Sequence, residues 1–218
     1  MKIIPGDFIL DPSLVLYLPL HQLDGASFMS RDAYGHLCTV TGALWRPNGR
    51  WFDGSDDYID CGNAVGLQLL NSFSVLSWIY IDTLTPTDGH LAIASKRTYH
   101  VSGFYIIVEK TSGIVKVFFN TGGGESTLAT AEGLDAGVWY LVAVTYDGTT
   151  GKIYVNGVEK ATGTPTYTAD TTRTLKFGRR EDGFGDFPGK MGNLFVYNRC
   201  LIPLEIEHNY LATKWRYQ

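Results

Sequence analysis

An excess of positive charge is missing: 18 Lys and Arg stand against 22 Asp and Glu, for a formal net charge of −4. No general positive field therefore draws the chain to nucleic acid or to an anionic membrane. The basic pairs Lys96-Arg97 and Arg179-Arg180 read as solvated loop charges. Long apolar runs are missing as well, which excludes a helical membrane span. The opening MKIIPGDFIL places Pro5, Gly6 and Asp7 where an export signal needs an apolar stretch, so no signal peptide is read there. Cysteine is scarce and odd in number. Cys38, Cys61 and Cys200 lie far apart, which excludes a dense disulfide framework and a C-x-x-C metal knuckle. They read as buried thiols acting as small hydrophobes, with a single Cys38 to Cys61 bridge left open.

The common catalytic signatures are absent too. There is no G-x-S-x-G, H-E-x-x-H or G-x-x-x-x-G-K-[ST], and no N-x-[ST] glycosylation acceptor. His21, His36, His90, His100 and His208 are dispersed without ligand spacing. The glycine-rich TGGGES, Thr121 to Ser126, sits between strand patterns without a helix N-terminus to hold phosphate, and reads as a flexible loop.

What is present is strand chemistry. Hydrophobic residues make up 44% of the chain, and Gly (25) and Tyr (13) are abundant, a mixture weighted towards strands and turns. Residues 1–218 are read as a single domain, since β-sandwiches often run to this length. Phe73 to Ile81, FSVLSWIYI, is apolar on both faces and suits a central covered strand. Leu14 to Leu18, Leu91 to Ala94, Phe104 to Glu109, Ile114 to Asn120, Val138 to Gly148, Thr174 to Gly178 and Asn193 to Tyr197 read as further strands. Asn156-Gly157 between KIYV and VEK is a hairpin signal, because a type I′ turn needs positive φ at both central residues. The acidic stretch RWFDGSDDYIDCG reads as a turn at Asp53 to Asp56 followed by alternation from Asp57. Trp78, Trp139 and Tyr197 read as core, while Trp45 and Trp51 stay ambiguous. After Pro203, Leu204, Leu211 and Trp215 form one apolar stripe at helical spacing. They predict a short C-terminal helix packed on the sandwich and anchored by Trp215. The whole indicates an all-β, two-sheet antiparallel sandwich or jelly roll.

LVLYLPL, DAYGHLCTVTGALW, FDGSDDYIDCGN, FSVLSWIYI, WYLVAVTYDGTTGKIYVNGV, LKFGRR and GKMGNLFVYNRCLIPLEIEHNY follow one another as in laminin G-like jelly-roll modules. The chain thus resembles the concanavalin A-like lectin/glucanase superfamily from about Leu14 to about Tyr210. The resemblance implies a concanavalin A-like curved sandwich, used as a carbohydrate-binding or adhesive module. The glucanases of that superfamily carry E-x-D-x-x-E on one strand, since a retaining mechanism needs two carboxyls about 5 to 5.5 Å apart. Nothing here fits: Glu205 and Glu207 fall in the predicted helix, and Tyr99-His100 with Tyr105 only imitate a lyase pair. No enzymatic activity is expected.

Related modules often bind calcium through aspartates at one edge. Here GKMGN places Gly192 and Asn193 where the family has two acids, so Asp32, Asp182 and Asp186 are the remaining calcium candidates. No cofactor is required. A sugar needs an aromatic face beside planar polar groups. Two stretches supply both: RREDGFGDFPG, with Arg180, Asp182, Phe184, Asp186 and Phe187, and KRTYHVSGFY, with Tyr99, His100 and Tyr105. The glycine-rich first stretch is expected to leave its aromatics unburied. The expected function is a non-catalytic, lectin-like module taking an oligo- or polysaccharide through loops or the concave sheet. The alternative is a structural or adhesive protein, such as a virion or cell-surface component, whose partners are other protein subunits. Nucleic acid and membrane insertion are not expected, and an extracellular, surface or virion location is favoured.

Overall fold

A computed structural model describes residues 11–85 and 89–217. The strands in chain order are β1 (Leu14–Pro19), β2 (Ser27–Met29), β3 (Leu37–Thr41), β4 (Leu44–Arg46), β5 (Gly49–Asp53), β6 (Tyr58–Asp60), β7 (Phe73–Ile81) and β8 (His90–Thr98). They continue as β9 (Ser102–Glu109), β10 (Ile114–Thr121), β11 (Gly124–Gly133), β12 (Trp139–Tyr146), β13 (Gly151–Val155), β14 (Val158–Gly163), β15 (Lys176–Phe177) and β16 (Pro188–Tyr197), before helix α1 (Pro203–Thr213). Two eight-stranded antiparallel sheets face each other. The first runs β14-β13-β12-β7-β16-β5-β4, with β1 also on β16; the second runs β11-β10-β9-β8-β15-β6-β3-β2. This is the expected jelly-roll sandwich with a short C-terminal helix.

Alternation decides which side chains meet between the sheets. Along β7 Phe73, Val75, Ile79 and Ile81 point inwards and join Phe104, Ile106 and Phe119 from the second sheet in one core. Phe73 stacks on Phe104 at 4.9 Å between ring centres, with Tyr146 and Tyr167 tilted against it. The other face of β7, Leu76 and Trp78, packs outwards with Leu141, Tyr154, Phe195, Tyr197, Ile206 and Tyr217 beneath α1. The β13–β14 hairpin turns at Asn156 (φ +51°) and Gly157 (φ +83°), the two positive angles that its sequence predicts. The acidic stretch is a turn, in which Ser55 N–H donates to Asp53 Oδ1 and Asp53 N–H to Asp57 Oδ2, both at 2.8 Å.

Several expectations change. The helix forms, but Leu204, Leu211 and Trp215 face solvent, Trp215 being 69% exposed. The face turned to the sheet carries Ile206, Asn209, Tyr210 and Thr213. Trp78 lies under that face, and its indole Nε1 needs an acceptor, which Thr213 Oγ1 supplies at 2.8 Å. A buried polar partner outweighs the apolar stripe in setting the rotation of the helix. TGGGES is no free loop, since Gly124 already starts β11 and only the preceding glycines turn. Lys96 and Arg97 are not solvated loop charges but buried residues of β8, on opposite faces of the sheet.

Candidate ligand-binding site

The outer face of the second sheet carries the polar site. In β8 and β9, Ser95 pairs with Tyr105 and Arg97 with Gly103, so Arg97 and Tyr105 share that outer face while Lys96 and Phe104 point into the sandwich. The loop 178–187 folds back over the same face. It is tied down by Ala92 N–H to Gly185 O (2.9 Å) and Phe187 N–H to Gly178 O (3.0 Å), and internally by Arg180 N–H to Phe184 O (3.0 Å). Gly185, at φ +73°, lies directly on Tyr105: a Cβ there would stand 2.1 Å from the phenol oxygen. Tyr105 is therefore buried, and burial holds its phenol well above the usual range although Arg180 and Arg97 pull the other way.

Rings and guanidinium groups alternate across this surface. The Arg180 guanidinium carbon stands 5.4 Å from the Phe184 ring centre and 5.6 Å from that of Tyr105. Arg97 stands 4.6 Å from Tyr105 and 5.0 Å from Tyr99, which stacks on His100 at 3.8 Å. The inner members are covered, whereas the outer plates Tyr99 and Phe184 are 57% and 58% exposed. Beside Tyr99 opens a cavity of about 240 Å³ lined by Arg97, Thr98, Tyr99, Arg173, Arg180, Glu181 and Asp182, and Phe184 lies next to it against the Arg180 guanidinium.

The charges here are held in place rather than free. Glu125 accepts from Arg97 Nη1 at 2.6 Å and lies 3.3 Å from His100 Nε2. Burial, then the neighbouring Arg180, work against the charge on Arg97, and Glu125 offsets them in part. Asp182 accepts from Arg180 Nε, and Glu181 lies 3.3 Å from Lys176. Asp170 organises the rim. Burial would raise its carboxyl, but the N–H groups of Arg173 and Thr172 and the hydroxyls of Thr98 and Ser102 all donate to it and hold it far below the carboxylate range. One aspartate thereby fixes Thr98 and Arg173 beside the cavity.

The sequence-predicted residues divide accordingly. Tyr99, His100, Tyr105, Arg180, Asp182 and Phe184 come together. Phe187 does not: it is fully buried in the core, edge-on to Phe52 at 6.2 Å, so the glycine-rich loop buries one phenylalanine and presents the other. Asp186 turns inwards to Arg179, 3.0 Å from its Nε. Asp32 lies in a turn that accepts N–H bonds from Tyr17, Tyr34 and Gly35. The three calcium candidates thus do not converge. Among the described residues the grouped acids are Asp53, Asp56 and Asp57, with ligand atoms within 4.8 Å of one another. Burial, outweighing the Asp53 N–H, and repulsion from Asp53 and Asp56 push the Asp57 carboxyl upwards. Glu205 is occupied by both Nη groups of Arg199 at 2.8 Å.

Sequence reasoning missed Arg97, Glu125, Asp170, Arg173 and Glu181. Only Asp170 left a readable signal, in D-T-T-R, where an aspartate can bond the amides two and three residues on.

Residues 53–207 match the family model of the concanavalin A-like lectin/glucanases superfamily. No curated protein sequence matches the chain. Among solved structures it is similar to the ligand binding domain of botulinum neurotoxin serotype D in complex with N-acetylneuraminic acid, at 17% identity and a TM-score of 0.69, over 92% of this chain and 51% of that one. The binding domain of botulinum neurotoxin DC in complex with rat synaptotagmin II aligns at 15% identity and 0.68, over 92% and 51%. A Trypanosoma rangeli sialidase in complex with 2,3-difluoro-KDN aligns at 18% and 0.72, over 95% and 34%. The chain spans about half of the neurotoxin domains and a third of the sialidase, and at these identities the likeness is one of fold. With the sandwich, its helix and a family match across residues 53–207, the chain belongs to the concanavalin A-like lectin/glucanases superfamily.

Proposed function

We propose that this protein is a non-catalytic carbohydrate-binding module, at a cell surface, in the extracellular space or on a virion, and that its ligand is a glycan bearing an acidic sugar. The observation that carries this reading is the cavity beside Tyr99, lined by three guanidinium groups, one of which also packs against the exposed Phe184 ring. The exposed rings offer flat apolar faces to a pyranose. The guanidinium forks of Arg97, Arg173 and Arg180 suit hydroxyls and, in paired geometry, a carboxylate. Because Arg180 works against the charge on the buried Arg97, which Glu125 and Asp182 offset in part, an anion beside Arg97 would offset that cost further. The cavity is smaller than the roughly 300–1,000 Å³ of enclosed small-molecule pockets, which favours one ring of a longer chain. An N-acetylneuraminic acid complex on the same fold supports the ligand class.

The test is a glycan screen across neutral and acidic polysaccharides, with and without calcium, followed by calorimetry on the hits. Arg180→Gln and Phe184→Ala should each weaken binding at least tenfold while leaving the melting temperature nearly unchanged. Absence of binding throughout the screen sinks the sugar reading, and preference for neutral glycans sinks the acidic one.

A second reading, a structural or adhesive role through protein contacts, draws on the outward apolar face of α1, where Leu204 and Leu211 are exposed beside Ile202, and on the exposed Trp215 in the turn that follows. Its occupant would be a second copy of the chain. Light scattering decides it, since a strict monomer at all concentrations leaves that face without this use.

A further inference from the structure

The buried cysteines form a pair that neither the sugar site nor the helix uses. β3 and β6 run antiparallel with Thr39 opposite Asp60, Val40 opposite Ile59 and Thr41 opposite Tyr58. One step further along this register, Cys38 stands opposite Cys61. The parity agrees, because Cys38 and Cys61 both point into the core, as Ile59 does, and are 0% and 2% exposed. Cys61 N–H donates to Leu175 O on the far side, at 2.9 Å, so its backbone does not bond to Cys38. Opposite residues of this non-hydrogen-bonded kind have Cα atoms about 4.5 Å apart, inside the roughly 4.4–6.8 Å range that a disulfide spans. The Cys38 Sγ lies 3.7 Å from His36 O and near enough to Cys61 that burial and this neighbour together push the Cys61 thiol up. Cys200 lies elsewhere, half-buried, with its Sγ against Leu201 O at 3.6 Å.

We propose that Cys38 and Cys61 are joined by a disulfide that staples β3 to β6 when the protein folds in the presence of a small-molecule disulfide oxidant. One cysteine thiolate attacks the oxidant's disulfide, releasing one small thiolate and leaving a mixed disulfide. The second cysteine, having lost its proton to solvent, attacks the protein sulfur of that bond and releases the second small thiolate. The two cysteines are oxidised by two electrons and the oxidant is reduced to two thiols. Burial, together with the neighbouring Cys38 thiol, pushes the Cys61 thiol up, so the folded core holds little thiolate and the exchange belongs to folding, before the pair is covered. The staple ties β3 to β6 near one edge of the second sheet, where β2, β3 and β6 are joined through three residue pairs each.

The experiment refolds reduced, denatured protein with and without a glutathione redox couple, then denatures and alkylates it for intact and peptide mass analysis. The expected result is one alkyl group, on Cys200, after oxidative refolding and three after reductive refolding, with a Cys38–Cys61 linked peptide in the first case only. The melting temperature should be higher by roughly 6–12 °C in the oxidised form. A Cys38→Ala, Cys61→Ala double variant should show no difference between the two conditions. Three alkyl groups after oxidative refolding, or a linkage through Cys200, overturns the proposal.

Discussion

On the outside of the first sheet, Trp78, Tyr154, Phe195 and Tyr197 are buried under α1 and Tyr217. On the outside of the second, the apolar patch is Ala92, Tyr105 and Ile107 with Phe118, and charged arms and a folded-back loop lie over it. Both outer faces are built on the same core, so the difference shows how the protein divides its labour. A sheet closed by a helix gains stability from apolar area. A sheet closed by arginines and glycine loops gains little, and leaves groups able to meet a ligand.

If that division holds, the first face can be damaged without touching recognition. Trp78→Ala removes a fully buried ring stacked on Tyr217 at 4.5 Å, together with the bond to Thr213, and should cost about 3–5 kcal/mol in chemical denaturation. Glycan affinity of the remaining folded protein should be unchanged; a parallel loss would mean that the two faces are coupled.

Lys96 and Arg97 carry the comparison within two consecutive residues. Lys96 points inwards and donates to Asn63 Oδ1 at 2.6 Å and to Arg173 O; burial pulls its ammonium down to about 8, against the pull of Asp170, Glu181 and Asp60. Its folded value lies below the unfolded 10.5, so its contribution is present above pH 10.5 and lost as the pH falls through 8. Relative to Lys96→Met, the native protein should therefore gain about 3 kcal/mol as the pH rises from 8 to 10.5. A constant difference across that window would place the charge in water.

Smaller effects belong to the loop and the helix. Gly185→Ala forces a side chain into the phenol of Tyr105 at a positive φ, and should cost about 1–2 kcal/mol of stability but tenfold or more in glycan affinity. Leu211→Ser, on the open face of α1, should stay within about 0.5 kcal/mol.

The strands, hairpin and acidic turn were legible because alternation and turn chemistry are local. The orientation of α1 was not, since it depends on an indole in β7 over a hundred residues away. Half of the candidate site was legible through its aromatics in glycine-rich surroundings. The rest was hidden because Arg97 and Asp170 become part of it only through pairing between β8 and β9 and a remote loop. Phe184 and Phe187 differ in no way that three residues of sequence reveal; the Phe187 amide bond to Gly178 decides which ring goes inside.

β16 lies against β7 along one edge and divides its other edge between β5 at Pro188–Met191 and β1 at Asn193–Tyr197. Among the described residues the first strand is therefore held by the last, and the first sheet cannot close until residue 197 has left the ribosome. Such distant pairing places folding in the slow, millisecond-to-second regime of β-sandwiches. A nascent chain halted before Pro188 would hold β1, β5 and β7 without their common partner, open to proteases and to the edge strands of neighbouring molecules.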